Sequence, residues 1–184
     1  MLRRLFWVIG VIQILACCLL VACKPINLNE ENKMAKVEII KLHPMRTVAY
    51  HVVDTSPEDK AMEPVLKWIA ENKLEGTMRL FGFNTEPYPS EENSAYGFGF
   101  CATIPEGLEI PSPLYEKRLP GGIYAVLFDY DGHPGFGWEE MGKYQNDPDW
   151  EWRYDDSRPG LEEHISRGDK GEYLSPILLP VKKK

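Results

Sequence analysis

The sequence predicts an α+β domain built from a duplicated β-α-β-β unit. Two copies form one antiparallel sheet assembly with helices packed on one side. Three observations predict it. The order strand, helix, strand, strand runs twice between residues 36 and 184. Neither run by itself has enough strands to bury its own sheet. Hydrophobic residues make up 43 % of the 184-residue chain, enough for one packed core.

In the first run, KVEIIKL and RTVAYHVV are β-rich segments either side of His43-Pro44. They read as one interrupted strand or a tight hairpin. A helix follows. Ser56 suits its N-cap, Pro57 its first position and Asp59 its first turn. Met62, Val65, Leu66 and Ile69 then fall on one apolar face. Pro64 should kink or restart this helix. TMRLFGFN and YGFGFCATI are two short strands around the loop TEPYPSEENS.

The second run opens with LYEKRLPGGIYAVLFDY, a Gly-Gly break inside a strongly alternating strand. GFGWEEMGKY is a short helix candidate, and a polar, acidic loop comes after it. LEEHIS and YLSPILLPV close the chain as two short strands.

Residues 1–22 differ in kind. Arg3 and Arg4 precede Leu5–Ala22, which is apolar apart from Gly10 and Gln13. That is the layout of a secretory signal. The alternative is a retained membrane helix, for which eighteen residues is at the lower edge of what spans a bilayer. Leu20-Val21-Ala22-Cys23 resembles the lipobox of bacterial lipoprotein precursors. The resemblance implies cleavage before Cys23, a diacylglyceryl thioether on its sulfur and acylation of the new amine. Residues 1–22 are then a signal peptide and 23–35 a lipidated cysteine with a flexible tether. Residues 36–184 are the domain. The protein is expected in the cell envelope, anchored by lipid and facing away from the cytoplasm. Lys24 resembles the residue that follows cysteine in precursors sorted to an outer membrane, where the cell has one.

Maturation of this kind leaves Cys101 as the one free thiol, so no intramolecular disulfide is expected. Its place in YGFGFCATI predicts a buried, inert group. Residues 1–22 carry two of the 21 basic residues and none of the 28 acidic ones, so their removal takes the net charge from −7 to −9. That argues against nucleic acid as a partner and favours cationic or neutral ligands.

No GxGxxG, Walker loop, GxSxG or HExxH is present. His43, His51, His133 and His164 are scattered, and no metal or cofactor is expected. The run Asp129–Gly132 reads as a turn. Two features remain. Trp138, Tyr144, Trp150, Trp152 and Tyr154 are crowded together among an excess of carboxylates, a composition suited to a flat or cationic ligand. For most of them an acidic loop whose aromatics fold back onto the core is the better account. RPGLEEHI places Glu162 in a strand. Alternation puts residues 161, 163 and 165 on one face and residues 162 and 164 on the other. Spacing by itself favours a Glu162 that faces water.

Four segments, in order, resemble the GyrI-like effector-binding domain family of the BmrR and Rob C-terminal type. They are KVEIIKLHPMRTVAYHVV, RLPGGIYAVLF, RPGLEEHI and PILLPV, within residues 36–181. The resemblance implies a cleft between the halves that binds a hydrophobic, aromatic or cationic small molecule. It assigns Glu162 as the charge reader and Tyr173 as a ligand-facing tyrosine opening the last strand. Phe136 or Trp138 would be the aromatic at the start of the second helix, and Tyr96 is a further wall candidate. No aromatic stands near Met62 and Thr77, where the family has two cage tyrosines, and His164 replaces a third. The family also contains hydrolases, which would use Glu162 as a general base. A haem or tetrapyrrole binder would depend on His164 or His133. The oligomeric state is left open.

Overall fold

Two bent strands, paired on both sides of their bends, organise the molecule. The computed structural model describes residues 36–128, 133–167 and 172–184, with the backbone alone at residues 166, 167, 172 and 173. Cys23, its tether and the expected turn at 129–132 lie outside the described residues.

β1 (Val37–Leu42) and β2 (Met45–Asp54) are one interrupted strand, as are β5 (Tyr115–Leu119) and β6 (Gly122–Leu127). The pairing runs from Val37↔Leu127 to Leu42↔Gly122 and resumes unshifted from Met45↔Leu119 to Ala49↔Tyr115. Of the two readings of the opening segment, the interrupted strand is the one observed. His43-Pro44 bends one strand where Pro120-Gly121 bends the other. A side chain at Gly121 would put Cβ 2.6 Å from the Leu42 carbonyl oxygen. Gly122 has φ +137°, and its Cβ would meet Arg158 at 2.2 Å. The Gly-Gly break is therefore required by the crossing of two backbones and by the guanidinium lying on it.

α1 (Pro57–Glu71), β3 (Leu80–Thr85) and β4 (Tyr96–Thr103) complete the first unit. α2 (Pro134–Asn146), β7 (Trp152–Tyr154), β8 (Leu161–Glu163), β9 (Ile165–Arg167), β10 (Glu172–Leu174) and β11 (Ile177–Lys183) complete the second. The main sheet runs β1-β6-β11-β8-β3-β4-β2-β5, antiparallel throughout, with β7 added on β11. The two ends of that order are the two bent strands, so the sheet curls on itself into a half-barrel. Both helices pack on its outer side.

Register assigns the faces. Phe81, Phe83, Cys101, Tyr124, Leu161 and Leu178 pack together on the inner face, drawing on both units. On the outer face, Ala61, Val65, Trp68 and Ile69 of α1 pack on Val48, Phe98 and Phe100. Met141 of α2 packs there on Ala125, Leu127, Ile177 and Leu179. Cys101 is buried as expected, and burial pushes its thiol up to about 12.

Three local expectations change. α1 runs unbroken through Pro64, because Ala61, Val65, Trp68 and Ile69 are buried against the sheet and packing outweighs one lost backbone bond. Ser56 occupies the N-cap without a side-chain cap bond, and Asp54 Oδ1 accepts from the Thr55 and Ser56 amides instead. The closing segments are four short strands, since Ser175-Pro176 separates β10 from β11. His133 caps α2, its Nδ1 accepting from the Gly135 amide at 3.1 Å.

Glycines on β3 and β4 are needed for cross-strand packing. Phe83 on β3 lies over Gly99, where a Cβ would come within 2.5 Å of the ring. Phe98 lies over Gly82 in the same way on the outer face, at 2.5 Å. Each glycine gives a neighbouring aromatic ring a flat seat.

Candidate functional site: a cleft at the junction of the two units

Besides the long pairing of the bent strands, the two units meet where β3 pairs with β8, and the register there is only Phe81↔Glu163 and Gly82↔Glu162. Beyond Gly82 the strands part. β3 continues as Phe83, Asn84 and Thr85, and the chain entering β8 diverges from it. The gap is a cleft of about 620 Å³. That volume suits a drug-sized molecule. Trp138 and Gln145 reach it from α2, and Lys117 reaches it from β5.

Glu162 stands beside the gap, directly opposite Gly82. Alternation does separate it from Leu161, as the spacing requires. The face it occupies is the helix-covered outer face rather than open water, which corrects the solvent-facing expectation. Strand periodicity reports only which side a residue takes. It does not report what covers that side. Trp138 Nε1 donates to Glu162 Oε1 at 2.7 Å. Gly160 permits this, since a Cβ there would meet the Trp138 ring at 2.7 Å. Loss of hydration pushes the Glu162 carboxyl up. The indole bond opposes that shift, the nearby Glu58 adds to it and His133 opposes it.

Tyr96 begins β4 beside this group and donates its hydroxyl to Glu58 of α1. Burial, that bond and the charges of Glu58 and Glu162 push the phenol up to about 12. Glu58 is separated from Glu162 by more than a hundred residues, and nothing in the sequence marks it as part of the site. Phe136 is 56 % exposed and is not part of the cleft wall, so of the two candidates in α2 the structure places Trp138 in the cleft. The backbone of Tyr173 belongs to the separate β9–β10 hairpin, paired with Ser166. It does not open the last strand, because the break at Ser175-Pro176 intervenes.

Glu163 projects to the inner face and is bound by Arg79, with Nε at 2.6 Å and Nη2 at 2.8 Å. It is a structural carboxylate, and sequence reasoning gave it no role. Arg158 is a structural cation beside the cleft. It bonds Asp155 and the Gly121, Ile123 and Val181 carbonyls, and stacks 4.8 Å from the Tyr124 ring centroid. His164 lies edge-on to Phe100 with its Nε2 buried, and burial pushes the imidazole down. Among the described residues no group of three or more His, Cys, Asp or Glu could hold a metal ion. No described helix is long and apolar enough to cross a membrane.

No protein-family model matches the sequence, and none of the curated proteins does. Solved structures do. The isolated EcmrR C-terminal domain matches with a TM-score of 0.60 at 13 % identity, over 82 % of this chain and 99 % of that one.

The fold is GyrI-like.

The EcmrR chain in a cryo-EM structure of its DNA complex matches with a TM-score of 0.65 at 13 % identity, over 84 % of this chain. This chain spans 60 % of the length of that one. A hydrolase from Listeria innocua matches with a TM-score of 0.52 at 13 % identity, over 80 % of this chain and 92 % of that one. At such identities the likeness carries the GyrI-like architecture and does not carry the chemistry.

Proposed function

We propose that the GyrI-like domain is a binding module for a flat, hydrophobic small molecule bearing a basic group, held at the cleft between the units. One observation carries the reading. Glu162 is half-buried, bonded by an indole, and paired with no lysine or arginine among the described residues. A carboxylate in that position costs stability until a cation meets it. Trp138 offers the ring against which a flat cation can lie. The acidic balance of the chain favours such ligands and disfavours nucleic acid.

The test is thermal unfolding of the full chain in mild detergent, with a panel of aromatic cations and their neutral analogues. A ligand at 100 times its Kd adds about 2.7 kcal/mol, a clear shift of the midpoint. Stabilisation by cations that disappears in Glu162→Gln supports the reading. Equal stabilisation of both proteins overturns the role of Glu162.

The raised carboxyl favours one alternative in the same place, a hydrolase with Glu162 as general base beside the Tyr96 hydroxyl. Turnover of an electrophilic substrate, abolished in Glu162→Gln while binding survives, distinguishes catalysis from binding. The haem reading has no such support, because His133 caps α2 and His164 packs on Phe100.

The same proposal extends to location. The lipobox-like Leu20–Cys23 run implies a lipid anchor at Cys23 and a domain outside the cytoplasm. Intact mass of the protein made in its native host tests this. A mature chain that starts at an acylated Cys23 supports it, and a chain retaining residues 1–22 overturns it.

A further inference from the structure

The cleft wall carries the carboxylates of Glu86, Asp156 and Glu162, which suit a cation, and two cations, Lys117 and Arg158. Lys117 projects from β5 onto the inner face, its Nζ 4.7 Å from the centroid of the Phe83 ring. Both residues line the cleft that Glu162 also lines. The platform under Lys117 is rigid, because the Phe83 ring rests on Gly99 and a Cβ there would come within 2.5 Å of it. Lys117 is half-buried, and none of the described carboxylates forms an ion pair with it.

The contrast with Arg158 is informative. That guanidinium also borders the cleft, and its donors are spent on Asp155 and three backbone carbonyls. Lys117 meets an aromatic face and water. Partial burial has stripped some of its hydration, and a ring quadrupole replaces only part of the loss. A surface lysine with no role in a site would extend into solvent at less cost.

We infer that the cleft is bipolar and takes an amphoteric aromatic ligand, its basic end at Glu162 and a carboxylate or phosphate at Lys117. This rests on the ligand-binding reading for the Glu162 end and adds the group at the other end. It also limits what net charge can say. An acidic chain with a net charge of −7 still presents one unpaired cation inside its cleft.

The experiment uses two dyes of one shape, a diaminoxanthylium carrying a free benzoate and its methyl ester. The first is a zwitterion and the second a cation. Fluorescence anisotropy of the full chain in mild detergent gives a Kd for each. The acid is expected to bind about tenfold more tightly than the ester, a ratio equivalent to about 1.4 kcal/mol. Lys117→Met should remove the preference without weakening the ester, and Lys117→Arg should keep it. Glu162→Gln should weaken both dyes alike. Equal affinity for acid and ester in the wild type, with Glu162→Gln still weakening both, overturns the Lys117 assignment and leaves the cation reading standing. A preference that survives Lys117→Met overturns it as well. Failure of both dyes to bind, or indifference of both to Glu162→Gln, overturns the ligand-binding reading and the inference with it. Unfolding midpoints of the variants show whether each is folded when titrated.

Discussion

Each helix presents one tryptophan towards the sheet, and the two do different work. Trp68 of α1 is 6 % exposed and packs in a cluster with Phe98, Phe100 and Ile104. Trp138 of α2 is half-buried and spends its indole N–H on Glu162. The helices differ likewise as wholes. α1 buries Pro57, Ala61, Val65, Trp68 and Ile69, while α2 buries only Gly137 and Met141. The contrast continues at the junction, where Gly82 of the first unit faces Glu162 of the second. A duplicated architecture has been used unequally, with the first helix given over to packing and the second offering its tryptophan to the carboxylate at the gap. The lesson is that symmetry of the backbone leaves chemistry free to be asymmetric.

The largest effect that could break this comparison is in the tryptophans. Trp68→Ala should cost about 3–5 kcal/mol in urea unfolding, the range for a large buried aromatic. Trp138→Ala should cost about 1 kcal/mol and abolish ligand-dependent stabilisation. Equal losses in the two variants would mean that α2 is as much a core helix as α1.

The neighbouring carboxylates of β8 sharpen the comparison on a smaller scale. Glu163→Gln removes a charge that Arg79 holds with two bonds, and should destabilise by about 1–2 kcal/mol. That is the low part of the range for bonds to charged groups, because Arg79 is partly exposed. Glu162→Gln should act with opposite sign and raise the unfolding midpoint at neutral pH, since it removes an uncompensated carboxylate from the site. Loss of stability in both variants would make Glu162 a structural residue.

A pH titration isolates the same group. The folded Glu162 carboxyl is raised above its unfolded value by burial. The native state therefore holds its proton longer than the unfolded state does. Stability falls as pH rises from the unfolded pKa through the raised folded one and is flat above it. Midpoints measured across that interval should show this step in the wild type and lose it in Glu162→Gln. The smallest expected effect is at Phe136, which is exposed and outside the cleft. Phe136→Ser should change stability by less than about 0.5 kcal/mol and leave dye binding unchanged.

Much of the architecture was legible from the residues. Alternation in VEIIKL and GIYAVL and the apolar face of residues 62–69 identified strands and a helix. The repeated order of elements identified the duplication. The bend at His43-Pro44 was legible as an interruption. Its matching with Pro120-Gly121 was not, because pairing between strands some eighty residues apart leaves no local mark. The part of the candidate site that could be read was Glu162 and an aromatic near the start of α2, either Phe136 or Trp138, through resemblance to a known motif. Glu58, Lys117 and the glycine seats under Phe83 and Trp138 carried no such signal.

The sequence by itself determined the fold class, the element order, the acidic balance, and the apolar run of residues 5–22 that ends at a cysteine. These follow from period, composition and punctuation, which act within a few residues of one another. Tertiary structure decided which face of β8 is covered, which aromatic of α2 meets the carboxylate, and which cation in the cleft lacks a partner. Those outcomes depend on distances between side chains far apart along the chain, and a half-buried charge acquires its meaning only from what surrounds it.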